Sequence, residues 1–143
     1  MKENKTNIKT IKIKDFSGEN VELIPKLFLY DVPDFIGKSM NVIGIQFLYE
    51  EDDTILPYAT FTKVFGEFIG VKNVAYVDTN NCWFAPQILE AGIAKETGFT
   101  KRSGFYEYPL WVFDEEFLRE IGGEEYQKYS DKFDKYMRAF EEE

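Results

Sequence analysis

Val42-Ile43-Gly44-Ile45-Gln46-Phe47-Leu48-Tyr49, then Glu50-Glu51-Asp52-Asp53-Thr54, then Leu56-Pro57-Tyr58-Ala59-Thr60-Phe61-Thr62-Lys63-Val64-Phe65 is the stretch that decides the fold. In the first run Ile43, Ile45, Phe47 and Tyr49 alternate with Gly44 and Gln46, which puts the large apolar side chains on one face of a strand. The second run is rich in β-branched and aromatic residues, which suit a pleated, half-buried surface. The polar residues between them form a connection of hairpin length. An antiparallel hairpin over residues 42–65 is therefore expected, with Glu50, Glu51, Asp52 and Asp53 exposed at its tip.

Upstream, Val21 to Tyr30 (VELIPKLFLY) reads as a strand, and Pro25 argues for a bulge or an edge position early in it. Asp31-Val32-Pro33-Asp34 breaks the pattern, and Gly37 keeps residues 35–39 loop-like. Ile11-Lys12-Ile13-Lys14 alternates with period two, and its outward lysines suit an exposed sheet edge. Residues 1–7 are polar and are expected to form a loose tail.

Downstream, Val74-Ala75-Tyr76-Val77 is a short apolar strand that stops at Asp78-Thr79-Asn80-Asn81, a group of turn and cap formers. A short helix should follow, capped from this group, with Pro86 in its first turn and Gly92 just past its end. Phe105 to Phe113 (FYEYPLWVF) reads as a further strand, apolar and covered on both faces. From Asp114 the period changes. Asp114-Glu115-Glu116 precede Phe117, Leu118 and Ile121 in a helix that Gly122-Gly123 stops, with acids near its positive end. The last helix, Glu124 to about Phe140, carries Tyr126, Tyr129, Phe133, Tyr136 and Phe140 at alternating spacings of three and four, an aromatic stripe on a charged helix. The expected fold is α+β, with an antiparallel-dominated sheet, a short inserted helix and C-terminal amphipathic helices packed on the sheet. One domain spans residues 1–143, with the tail at 1–7, the sheet core at 8–113 and a helical extension at 114–143.

The chemistry on offer is narrow. The 143 residues include no histidine and one cysteine, Cys82. A histidine base, a Ser-His-Asp triad, a Cys-His pair and a histidine- or cysteine-built zinc site are thereby excluded. A lone cysteine forms no internal disulfide and fits a reducing cytosol; Cys82, beside Asn80, Asn81 and Trp83, reads as a packed small residue. No glycine pattern for phosphates occurs. The acidic-x-Lys element of carboxylate metal nucleases occurs only as Glu3-Asn4-Lys5, in the tail. Carboxylate clusters at 50–53 and 114–116 offer a weak site for a hard cation or, more simply, solvated charge. No cofactor is implied, and no apolar run or leader points to a membrane or to secretion, so a cytoplasmic location is expected.

Charge is unevenly spread. Residues 1–14 hold five Lys against Glu3, a net of +4, so with −9 overall the rest of the chain carries −13. Such a body repels nucleic acid, whose binding needs cations on the protein, and suits a protein partner with a basic, nucleic-acid-binding surface; the plainer reading is a well-solvated surface. Lys101-Arg102-Ser103-Gly104-Phe105-Tyr106-Glu107-Tyr108 is the basic cluster beyond the tail. Lys101, Arg102, Tyr106 and Tyr108 are candidates to clamp a phosphate or a partner carboxylate, or the stretch is a glycine-permitted turn entering a core strand. Glu50, Glu51, Asp52 and Asp53 are the other candidate partner-binding residues.

Across residues 21–113, Tyr76-Val77-Asp78-Thr79-Asn80-Asn81, Ala91-Gly92-Ile93-Ala94, Thr97-Gly98, Arg102-Ser103-Gly104-Phe105 and Tyr108-Pro109-Leu110 resemble the core of an uncharacterised bacterial domain family. That family is carried by plasmids, conjugative elements and phages of low-GC Gram-positive bacteria, and fourteen Lys against three Arg is consistent with such a genome. The resemblance supplies no catalytic residues and implies an accessory role on mobile DNA. With the acidity, it points to a counter-defence inhibitor, anti-CRISPR or anti-restriction, that occupies the nucleic-acid surface of an effector such as a CRISPR nuclease. The alternatives are an accessory protein self-associating through the C-terminal stripe and, last, a metal-dependent nuclease.

Overall fold

The computed structural model describes residues 10–141. The expected tail at 1–7, with Glu3-Asn4-Lys5, lies outside the described residues. The described elements run β1 (Ile11–Lys14), β2 (Asn20–Pro33), β3 (Ser39–Glu51), β4 (Thr54–Thr60), β5 (Thr62–Lys63), β6 (Val74–Val77), α1 (Ala85–Glu90), β7 (Ala94–Ser103), β8 (Tyr106–Phe113), α2 (Glu115–Gly122) and α3 (Glu124–Glu141). They make an α+β fold of two antiparallel four-stranded sheets, ordered β1-β2-β3-β4 and β5-β6-β8-β7, with α2 and α3 packed on β2 and β3.

In the first sheet β2 pairs with β1 over Asn20 to Leu23 and with β3 from Ile24 to Pro33. Pro25 thus lies just beyond the β1 pairing, where β2 has one described neighbour, and it has the edge character expected of it. Lys12 and Lys14 point outward on edge strand β1 while Ile11 and Ile13 are buried. The β3–β4 hairpin is antiparallel as expected, with Glu51 opposite Thr54. Its turn is the pair Asp52-Asp53, with φ of 53° and 65°. Two consecutive left-handed residues make the turn whose twist matches that of paired strands, and Asp is among the few residues that tolerate it.

The run read as one strand from Leu56 to Phe65 is shared between both sheets. Up to Thr60 it pairs with β3 and from Thr62 with β6, and Phe61 is the crossing point. The Phe61 amide donates to the Ile45 carbonyl of the first sheet at 2.8 Å, and its carbonyl accepts from the Asp78 amide beside the second at 2.8 Å. The buried Phe61 ring meets Phe47 at 5.2 Å, Trp111 at 5.6 Å and Phe84 at 6.0 Å. A single buried cluster includes side chains of both sheets, α1, α2 and α3.

Four local expectations are corrected. The strand does not break at Asp31: β2 runs on to Pro33, paired with β3 through Asp31, Val32 and Pro33. No residue of the 78–81 group, neither Thr79 nor the asparagines, caps α1: the N-cap is Phe84, with no side-chain cap bond. The Asp78 carboxylate instead accepts from the Asn81 amide at 3.3 Å and the Asn81 side chain at 3.0 Å, so the group closes its own turn before the helix starts. Phe105 is not in a strand; it is 95% exposed in the turn before β8, and both faces of β8 become buried only from Tyr108 onward. Residues 94–103 form β7, a strand not expected from the sequence. Its KETGFTKR stretch has little β-branched or apolar alternation, and it holds its place at the end of the sheet, paired among the described residues only to β8. Its ladder breaks between Glu96 and Thr100, where Gly98 has φ 91° and the Thr97 hydroxyl donates to the Leu110 carbonyl at 2.7 Å.

The C-terminal helices follow from local chemistry. Asp114 caps α2 by accepting from the Phe117 amide at 3.0 Å, and Gly123 ends it at φ 53°. Gly122 lets α2 approach β2, because a Cβ there would lie 2.6 Å from Leu27 Cδ2 and 2.9 Å from Tyr126 Cβ. On α3, Tyr126, Tyr129 and Phe133 are buried, Tyr136 is half-buried and Phe140 is exposed. The stripe therefore faces the body of the protein. Its hydroxyls are used: Tyr126 donates to Asn73 Oδ1 at 2.7 Å, and the Asn73 amide donates to the Tyr129 hydroxyl at 2.9 Å.

Phe133→Ala should lower unfolding free energy by about 3–5 kcal/mol in a denaturant titration, whereas Phe140→Ala should stay within about 0.5 kcal/mol. Gly122→Ala should cost about 1–3 kcal/mol by overpacking against Leu27 and Tyr126. Stability unchanged by both Phe133→Ala and Gly122→Ala would contradict this packing.

Candidate partner-binding surface

The four acids expected at the hairpin tip are all exposed, and none has a cation partner among the described residues. Glu50 and Glu51 end β3, whose middle is buried, and Asp52 and Asp53 make the turn that follows. Beside them an open groove of about 770 Å³ is lined by Thr10, Asn20, Glu22, Tyr49 and the four tip acids among others. Glu22 adds a fifth carboxylate to this groove. The Tyr49 hydroxyl makes a long contact of 3.5 Å to Glu51. The field of the groove is thus negative and open to solvent.

The second candidate group is divided by the strand geometry. In the β7–β8 hairpin Lys101 opposes Tyr108, Arg102 opposes Glu107 and Ser103 opposes Tyr106. Lys101 is engaged internally: its ammonium lies 2.8 Å from Glu67 and 5.5 Å from the centre of the Phe65 ring. The Glu67 hydrogen bond raises the Lys101 pKa above its ordinary value. Tyr108 is buried beneath Lys63, which lies 5.5 Å over its ring. Arg102 and Tyr106 are exposed, with Arg102 3.8 Å from Glu107. Only Arg102 and Tyr106 of the four are free to meet a partner, and the acidic tip does not share a pocket with them.

Cys82 is buried, its thiol 3.5 Å from the Thr60 carbonyl, and burial pushes its pKa up to about 12. A thiol held that far from ionisation supplies little nucleophile near neutral pH. Among the described residues no three Cys, Asp or Glu side chains converge to hold a metal ion, and no helix is long and apolar enough to cross a membrane.

Sequence reading missed one constraint, at the β2–β3 turn. Asp34 Oδ1 accepts from the Ile36 and Lys38 amides at 3.0 and 2.8 Å, and Oδ2 accepts from the Tyr136 hydroxyl at 2.6 Å. The signal was local, since Asp is a residue that bonds its own turn two and four residues on, but the Tyr136 partner is a hundred residues away. This clamp fixes a turn whose Phe35 and Ile36 are exposed. The Tyr136 bond, the largest influence, holds the Asp34 carboxyl below its ordinary range. No protein-family model, curated protein or solved structure matches the chain.

A carboxyl with a depressed folded pKa adds stability above its unfolded pKa and loses it as pH falls through the folded value. Tyr136→Phe should therefore raise the Asp34 pKa toward the usual carboxylate value and move acid unfolding to higher pH. Carboxyl-carbon NMR titration of both proteins checks this; an unmoved Asp34 titration would contradict the clamp.

Proposed function

We propose that this is a non-catalytic binding protein that engages a protein partner through the acidic tip of its β3–β4 hairpin and the groove beside it. The single observation that carries the reading is the exposure of four consecutive carboxylates, Glu50 and Glu51 at the end of β3 and Asp52 and Asp53 in the turn, none of which meets a cation among the described residues. Glu22 extends the charge along the groove. The occupant best matched to it is a basic surface built to hold a phosphate backbone, because such a surface already carries closely spaced Lys and Arg. The net −13 beyond residue 14 favours encounter with that surface and disfavours nucleic acid itself.

The motif resemblance to a family carried on mobile DNA supports a narrower version, in which the partner is a defence nuclease, of CRISPR or restriction type, and binding blocks its nucleic-acid site. A cytoplasmic site of action accompanies that version. Self-association through α3 is less well supported, since only Phe140 and part of Tyr136 remain available on the stripe.

The test is competition with guide RNA and target DNA for purified Cas9-type and restriction nucleases, using wild type and E50Q/E51Q/D52N/D53N side by side. Asn tolerates the left-handed turn, so the quadruple variant should keep the hairpin. Wild type should inhibit, with an association rate that falls as salt rises, and the variant should associate more slowly with little change in dissociation. Equal inhibition by both would move the contact toward Arg102 and Tyr106. Inhibition by neither, across the panel, would remove the proposal.

A further inference from the structure

A mainly apolar cavity of about 400 Å³ lies between α1 and the β7–β8 hairpin and shares no residue with the acidic groove. Trp83, Pro86, Leu89, Pro109 and Trp111 supply much of its wall. That volume lies within the range of about 300–1,000 Å³ typical of small-molecule sites, which are mostly apolar with a few polar groups that fix the ligand. Trp83 is held from outside, because the exposed Phe16 ring stacks on it at 4.2 Å with 24° between planes.

One residue of this wall is charged, and the strand register places it. Glu96 on β7 is paired directly with Trp111 on β8 and also lines the cavity. Directly paired residues put their side chains on one face of a sheet, with Cβ atoms about 4.5–5.5 Å apart. Glu96 therefore stands beside the buried Trp111, at the rim of the apolar wall. Its neighbour Lys95 points to the other face, because successive side chains of a strand alternate, and it lines a different hollow with Val112.

Nothing in the lining offsets the Glu96 charge. No Lys or Arg lines the cavity, and Glu96 has no ion-pair partner among the described residues. A second carboxylate adds to the negative field. Asp78 lies near Cys82 of the lining, where its charge adds to the rise that burial imposes on the thiol pKa. An anionic ligand is opposed there, and a neutral one gains nothing from Glu96. An apolar body bearing an ammonium group covers the apolar wall and gives Glu96 a charge-assisted hydrogen bond, which is stronger than a neutral one. We propose that this cavity binds a small compound with an apolar body and one ammonium group, the ammonium seated on Glu96. The site is separate from the acidic tip and does not rest on the protein partner assigned to it.

Phenethylammonium and phenethyl alcohol have the same body and differ in the charged group. Each is titrated into ¹⁵N-labelled full-length protein, wild type and Glu96→Gln, while the Trp83 indole N–H, assigned by its loss in Trp83→Phe, is followed. Wild type should bind the ammonium about two- to fivefold more tightly than the alcohol, the value of one exposed ion pair. Hydrocinnamate, the anion of similar size, should bind more weakly than either. Glu96 is exposed, so Glu96→Gln should keep the fold; it should remove most of the preference and leave the affinity for the alcohol unchanged. Ring protons of the bound ammonium compound should show contacts to the Leu89 methyls, which places it in this cavity. Equal binding of the ammonium and the alcohol by wild type, or a preference undiminished in Glu96→Gln, would overturn the proposal. So would binding without Leu89 contacts, or no saturable shift at all.

Discussion

Everything in this fold depends on Phe61 being bonded to two sheets at once. Its amide closes on Ile45 in the first sheet, and its carbonyl receives Asp78 beside the second. Thr62 reinforces the crossing by accepting the Ile45 amide on its hydroxyl at 3.0 Å. Backbone groups buried at such a junction must be paired, because an orphaned one costs as much as a lost hydrogen bond. The ring then fills the space between the sheets, in aromatic contact with Phe47, Phe84 and Trp111. Each such contact is worth about 0.5–1.5 kcal/mol beyond the area it buries. A strand that changes sheets in mid-run makes the two sheets one body.

The opposite margin is closed by a side chain. Gln87 on α1 donates to the Lys14 carbonyl at 3.0 Å and accepts the Lys14 amide at 2.8 Å, so its amide group acts as one more residue of strand beside β1. The tyrosine hydroxyls of α3 close a third margin through Asn73, whose φ of 69° turns the chain into β6. With the frame tied at these places, the end of the β3–β4 hairpin is left as a projecting arm. Its acids meet no internal cation among the described residues, and this is why the functional reading rests there and not on the Lys101 cluster, where Lys101 is already held by Glu67 and the Phe65 ring and Arg102 lies 3.8 Å from Glu107.

Periodicity made the α+β class, the β3–β4 hairpin and both C-terminal helices legible from sequence, because each buries one regular face, while α1 was legible from Pro86 in its first turn and Gly92 past its end. The alternation of Ile43, Ile45 and Phe47 and the spacing of Tyr126, Tyr129 and Phe133 are burial patterns written directly in the chain. What was hidden depends on pairing across distance. Strand β7 has weak propensity and is held by β8. The crossing at Phe61 looks, in sequence, like an unbroken strand from Leu56 to Phe65. Of the candidate site residues, the tip acids were legible because turn chemistry is local. The burial of Tyr108 and the pairing of Lys101 with Glu67 were not, since they depend on which face of β8 the 64–73 segment covers.

The central claim, that both sheets open together because Phe61 belongs to both, is tested most directly by native-state hydrogen exchange. The amides of Phe61, Ile45 and Asp78 should exchange only through global unfolding, with one opening free energy equal to that from denaturant titration and the same denaturant dependence. Exchange of the Asp78 amide through a smaller opening, while Ile45 and Phe61 stay protected to the global limit, would show the second sheet opening alone and would contradict the account.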